Sequence, residues 1–144
     1  EQGVVVDGVE YALDCLIFAT GFEVSRATYT HQAELDIIGR GGRKLSEHWA
    51  QGMRTYHGLM SHGFPNLHHM GFTQTGYTPN FTYQLDKQAQ HLAKVFTDWK
   101  ARGYKALEPT AQAEADYLAL VTAPNAMTDY LANCTPGYYN AEGA

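Results

Sequence analysis

Asp14-Cys15-Leu16-Ile17-Phe18-Ala19-Thr20-Gly21-Phe22-Glu23 is the stretch on which the fold turns. Four apolar residues follow an acid with no polar alternation, the pattern of a strand covered on both faces, as in a parallel sheet. Ala19, Thr20 and Gly21 then strip bulk from the corner where that strand ends. In open α/β sheets ligands gather outside the carboxyl ends of strands, and a bare corner lets one lie against main chain. An ordinary strand-to-loop turn accounts for the same string.

Upstream, Val4-Val5-Val6, Asp7-Gly8 and Val9 to Leu13 spell a β-hairpin around a two-residue turn. Downstream, Glu23 to Glu34 has no sustained period and reads as a crossing loop. Leu35-Asp36-Ile37-Ile38 predicts a short strand, and Gly39-Arg40-Gly41-Gly42 a glycine turn. With Lys44 where a last glycine would stand, those glycines do not make a phosphate cradle. Ser46 caps a predicted short helix through Trp49, ended by Gly52. Leu67-His68-His69-Met70 predicts another strand, entered through the Phe64-Pro65-Asn66 turn.

The clearest helix starts at Asn80 and stops at Gly103. Leu85, Ala89, Leu92, Phe96 and Trp99 form its predicted apolar stripe. Pro109-Thr110 opens a second helix that Pro124 closes, and Asn125 caps a third through Ala132. Strands come first and three helices last, so the order itself reads as α+β.

At 144 residues the chain suits one domain with one core. A net charge of −5, with scattered Lys and Arg, argues against nucleic acid or an anionic membrane as partner. No apolar run approaches a membrane span and no signal peptide opens the chain. Cys15 and Cys134 read as reduced thiols of a cytoplasmic protein. The two Asn-x-Thr matches, at Asn80 and Asn133, then read as chance.

His57, His62, His68 and His69 invite a metal, but no acid or cysteine sits among them. His68 and His69 also point to opposite faces of the predicted strand. The expectation is one buried, hydrogen-bonded histidine and no metal site. Ser61-His62 is not a nucleophile and its base, because neighbours in extended chain point apart, and no G-x-S-x-G elbow exists.

Three motifs in order carry a resemblance: the Ala19-Thr20-Gly21 corner, Gly58-Leu59-Met60-Ser61-His62-Gly63-Phe64-Pro65-Asn66-Leu67, and Cys134-Thr135-Pro136-Gly137-Tyr138-Tyr139-Asn140-Ala141-Glu142-Gly143. From Asp14 to Gly143 the chain resembles the C-terminal portion of flavin-dependent Baeyer-Villiger monooxygenases, of the flavin-containing monooxygenase superfamily. That implies an α/β fold, seen as α+β in a fragment: the C-terminal part of a doubly wound, FAD-binding Rossmann-like domain. Strands and loops would occupy 1–79, a helical layer 80–134 and a tail 135–144.

The implied cofactors are FAD and NADPH, and the implied reaction inserts oxygen beside a ketone carbonyl to give an ester or lactone. By the same resemblance Ala19, Thr20, Gly21 and Phe22 would lie by the cofactors near NADPH. Phe81 and Thr82 would touch the flavin, whose reduced pyrimidine edge favours oriented amide donors at a helix start. Tyr77, Thr78, Pro79 and Asn80 would face the substrate, with Tyr138-Tyr139 continuing toward its channel. No catalytic side chain falls in this stretch.

Family members carry an apolar strand and then Gly-Pro after the Phe-Pro-Asn turn, where this chain has His68-His69-Met70-Gly71-Phe72-Thr73. The G-x-G-x-x-G elements for FAD and NADPH, the family fingerprint and the catalytic arginine have no counterpart here. The expectation is a chain inactive alone, with unpaired edges that self-associate or meet the N-terminal part of the same enzyme. A related N- or S-oxygenating flavin monooxygenase shares the Ala-Thr-Gly corner. A non-catalytic interaction module of the same fold is the remaining alternative.

Overall fold

A computed structural model describes residues 3–19, 34–75, 78–124, 129–130 and 133–135. The chain opens with an antiparallel hairpin, β1 (Gly3–Val6) and β2 (Val9–Ala12), in which Val6 faces Val9 and Gly3 faces Ala12. Asp7 and Gly8 both take positive φ, 51° and 80°, the mirror-image turn whose twist matches the strands it joins. The hairpin forms as its sequence predicts.

The strand expected at Cys15–Phe18 does not form. Ile17 and Phe18 are 81% and 80% exposed, and β1–β2 is the only sheet among the described residues. A strand apolar on both faces needs flanking strands and a layer on each side. The described residues place none of these around it, so its sequence pattern goes unanswered there. Leu35–Ile38 and Leu67–Met70 likewise form no strand, leaving isolated bridges at Ile38–Lys44 and Tyr56–Met60.

Helix α1 (Leu45–His48) has Lys44 and not Ser46 at its cap position, so it starts two positions earlier than predicted. Ser46 sits inside the first turn, where Asp36 accepts hydrogen bonds from its amide, at 3.2 Å, and from its hydroxyl. The cap therefore comes from a distant carboxylate, and Ser46 is the residue capped. Leu45, Trp49 and Phe64 make one core cluster, closed by Ile37, Met53 and Leu67.

Helix α2 (Phe81–Ala101) begins as predicted, with Asn80 Oδ1 accepting the Tyr83 amide at 2.9 Å. Its buried face shares only Leu92 with the predicted stripe. Gln84, Gln88 and Leu92 point inward, while Ala89 and Phe96 are exposed and Leu85 and Trp99 half-buried. The interior opposite α2 contains a loop peptide outside any strand ladder, at Gly71, so amide side chains are selected there over apolar ones. Leu92 joins Leu59 and Met60 in the second core cluster, with Tyr56 and Leu107 against it.

Helix α3 (Ala111–Val121) has Thr110 as its cap, the hydroxyl accepting the Ala113 amide at 3.1 Å. The helix predicted from Asn125 to Ala132 lies largely outside the described residues.

Asn66 joins the two halves. At φ 61° its side-chain oxygen accepts the Leu107 amide and its own amide donates to Leu107 O, both at 2.9 Å. Asn66→Ala should lower unfolding stability by about 1–3 kcal/mol, from lost hydrogen bonds plus a left-handed backbone that alanine resists. Asn66→Gly should recover about 1 kcal/mol of that in urea unfolding, since glycine tolerates the conformation. Equal losses would show that the backbone there is unstrained.

Candidate functional site

The predicted contact residues at the start of α2 are contiguous and accessible. Pro79, Asn80, Phe81 and Thr82 are exposed, and Thr78 is half-buried. Asn80 occupies its own helix end, so its side chain serves as a cap. The amides of Phe81 and Thr82 take no hydrogen bond among the described residues, as helix geometry requires of its first turn. They stand at the positive end of a 21-residue helix.

A loop positions this helix end. Phe72 stacks on Phe81, ring centroids 4.6 Å apart at 23°. The Gly71 peptide is gripped by both inward glutamines of α2. Its amide donates to Gln88 Oε1 at 2.9 Å, and its carbonyl accepts from Gln88 Nε2 at 3.0 Å and Gln84 Nε2 at 3.1 Å. Gln84 also donates to Thr75 Oγ1. Thr73 Oγ1 donates to Gly58 O, where a Cβ would sit 2.5 Å from Thr73 O. Gly58 is therefore glycine for close approach as well as for its φ of 68°.

Below the loop, two carboxylates hold the Ser61-His62-Gly63 turn. Glu114 of α3, 2% exposed, accepts the His62 amide at 2.8 Å and His48 Nε2 at 3.0 Å. Its other oxygen lies 3.6 Å from Arg54 Nε. Glu108 accepts the Gly63 amide at 3.0 Å and Arg40 Nε at 2.6 Å. Burial pushes the Glu114 carboxyl up, but the His48 hydrogen bond, the His62 amide and the His48 and Arg54 charges hold it below its ordinary value.

His69 is 1% exposed and meets Ser61 Oγ at 3.1 Å. The Ser61 proton is committed to Arg54 O at 2.7 Å, so His69 donates through Nε2. Ser61 is fully buried and cannot serve as a nucleophile. Burial first, then the neighbouring His68, lowers His69 to about 4 against the pull of Glu114. His68 faces the other way, edge-on to Phe96 at 4.7 Å. No metal-binding group of three or more ligands occurs among the described residues.

Of the predicted cofactor residues, Ala19 is exposed in irregular chain, and Thr20, Gly21 and Phe22 lie outside the described residues. Tyr77 of the predicted substrate set lies outside them too. The structure thus brings together Thr78 to Thr82 and shows no hydrogen bond from Ala19 to them. Sequence reasoning missed the Gln84–Gln88 clamp and the His48–Glu114 pair. An i, i+4 glutamine pair opposite an aromatic stripe was the available signal for the first.

No family model matches the chain. It is 44% identical over 143 residues to Baeyer-Villiger monooxygenase 4 of Dietzia sp. (strain D5), covering 99% of this chain and 23% of that one. Among solved structures it resembles the polycyclic ketone monooxygenase from the thermophilic fungus Thermothelomyces thermophila. The TM-score is 0.73 and the identity 31%, over 99% of this chain and 23% of that one. OTEMO, solved in complex with FAD and NADP, matches with TM-score 0.64 and 31% identity, over 81% of this chain and 21% of that one. The chain spans about a quarter of the length of the curated relatives it matches. The resemblance read from its motifs holds: nearly the whole chain is homologous to a segment of the Baeyer-Villiger monooxygenases, flavin enzymes of α/β fold.

The buried titratable groups set a pH dependence. His69 stays neutral when folded, while the unfolded chain takes up a proton below 6.5. Its contribution is therefore complete above pH 6.5 and drains as pH falls toward 4, by about 3 kcal/mol. Glu114, depressed in the fold, adds a further loss as pH drops from 4.5 through its folded value. Urea midpoints between pH 7 and 4.5 should fall steeply in the wild type and much less in His69→Gln. An identical decline in both would remove His69 from the account.

Proposed function

We propose that this chain, as a segment homologous to Baeyer-Villiger monooxygenases, supplies the pyrimidine-edge flavin contact and one wall of the substrate pocket in an FAD- and NADPH-dependent enzyme. The whole enzyme would insert oxygen beside a ketone carbonyl to give an ester or lactone. The observation that carries the reading is the pair of unsatisfied amides at Phe81 and Thr82, exposed at the start of α2 and immobilised by the Phe72 stack and the Gly71 clamp.

Those amides fit a flavin. Bound FAD supplies hydride acceptance and oxygen activation, and its reduced ring carries negative charge at the pyrimidine edge. Two donors preset at a helix N-terminus stabilise such charge without reorganising. Asn80 keeps the first turn wound by holding the Tyr83 amide, which leaves the Phe81 and Thr82 amides to the ligand. Thr78 and Pro79 then border the face on which a ketone approaches, with Tyr77 assigned beside them. Ala19, Thr20, Gly21 and Phe22 we assign to the NADPH side on the resemblance alone. No side chain of this segment is assigned a proton-transfer role.

The exposed run Leu16-Ile17-Phe18 is the surface we assign to the other three quarters of such an enzyme. Cover from that source would complete the two-sided burial its sequence is written for. Neither Cys15 nor Cys134 is in a disulfide, which suits a cytoplasmic enzyme. No helix among the described residues is long and apolar enough to cross a membrane.

The test is product analysis on the full-length protein containing this sequence, with NADPH, oxygen and a cyclic ketone. A lactone supports the proposal. An N- or S-oxide from an amine or sulfide, with no lactone, favours the related oxygenase. Thr82→Pro deletes one first-turn amide without breaking an intrahelical hydrogen bond. It should retain FAD yet slow flavin reduction by NADPH about tenfold or more in stopped flow. An unchanged rate would free the Thr82 amide of that role.

A further inference from the structure

An open groove of about 370 Å³ runs between the start of α2 and the turn at His57-Gly58-Leu59. Its volume sits at the low end of small-molecule pockets, enough for a small cyclic body and too little for a dinucleotide. Leu59 and the Tyr83 ring give it apolar wall, and Thr78 borders it. The other groove residues run against the character of a chain whose net charge is −5. They include Lys87, His57 and His91, and no Asp or Glu.

All three basic side chains are exposed, so a ligand in the groove can reach them. The His57 and His91 rings stand 6.3 Å apart, and neither imidazole takes part in a hydrogen bond among the described residues. Each carries at least one N–H to give. The His57 ring is placed by packing on Tyr56 and Tyr117, at 4.4 and 5.0 Å. Its backbone, at φ 53°, is left-handed, which disfavours a residue with a side chain and gathers at ligand sites. Lys87 Nζ lies 5.2 Å from the Tyr83 ring centre, 3.4 Å from Gln90 Oε1 and 3.9 Å from Asp86 Oδ2. An ion pair that long between exposed groups holds an ammonium weakly and leaves it able to turn to another anion.

A cleft lined by groups of one sign beside apolar wall concentrates its field and draws the opposite charge. One ammonium and two imidazole donors suit a carboxylate, whose two oxygens accept several charge-assisted hydrogen bonds. We propose that this groove binds a carboxylate carried by the ketone, with Lys87, His57 and His91 as its donors, so that the enzyme favours cyclic keto acids over neutral ketones. The inference rests on the proposed function, since Thr78 links the groove to the stretch assigned to substrate. It names the substrate class of that same site.

The test uses the full-length, FAD-loaded enzyme and two probes, a carboxymethyl-cyclohexanone and its methyl ester. Dissociation constants come from calorimetry and lactone formation from a separate assay, so loss of the groove and loss of the chemistry are read independently. The wild type should bind the acid about tenfold more tightly than the ester. Lys87→Gln combined with His91→Ala should bring the two constants together. Both positions are exposed on α2 and outside the Gly71 clamp, so the fold is kept. A purely structural role would weaken both probes alike and leave their ratio unchanged. Equal binding of acid and ester by the wild type, or a ratio that survives the double substitution, would overturn the proposal. So would a double variant whose KM for NADPH rises about tenfold with the ratio intact, since the groove would then hold a phosphate of the cofactor. Acid-selective binding without lactone would instead count against the oxygen-insertion reading and leave the groove standing.

Discussion

The Glu114 carboxylate is the constraint on which the rest of this structure depends. It is buried, and it answers for three elements at once: α1 through His48, the central turn through the His62 amide, and the Arg54 segment through its guanidinium. A buried charge is stabilising only when its lone pairs are met, and removing one partner costs far more than the pair is worth. Glu108, six positions earlier, repeats the device on Gly63 and Arg40. The irregular middle of the chain thus gains rigidity from carboxylates on and just before α3 and not from strand ladders. Small apolar clusters around Leu45 and Leu59 fill the space between these ties.

From that frame the functional end follows by short steps. The fixed Ser61–Asn66 turn carries His69 into the core, where it bonds Ser61, and brings Gly71 under α2. Gln84 and Gln88 then treat the Gly71 peptide as a strand neighbour would, bonding both its amide and its carbonyl. Phe72, next in sequence, is set against Phe81. The result is a helix start with two free amides held in place from behind. Such preorganisation matters for charge stabilisation, because donors that must move to reach developing charge lose most of their value.

Much of this was legible in the sequence, and what was not has a physical reason. The hairpin, the Asn80 and Thr110 caps and the two long helices are local features, set by turn chemistry and capping within a few residues. The Cys15–Phe18 strand failed because its pattern describes neighbours that the described residues do not include. The α2 stripe failed differently. Apolar periodicity finds the face that meets apolar partners, whereas the inner face of α2 meets a loop peptide and takes glutamines instead. His48 and Glu114, 66 residues apart, left no mark at all in sequence spacing. For the site, the position of Phe81 and Thr82 came from resemblance and capping together.

The departures from the family pattern after Asn66 also find their use. His69 is a buried hydrogen-bond donor, Thr73 ties to Gly58, and Phe72 buttresses Phe81. The central claim is that this segment offers the flavin one edge while the rest of the enzyme must hold the remainder. Visible absorbance after gel filtration of the 144-residue chain with excess FAD tests it most directly. The account predicts a colourless protein that leaves the flavin in the small-molecule fraction. A stoichiometric yellow complex from these residues alone would contradict it.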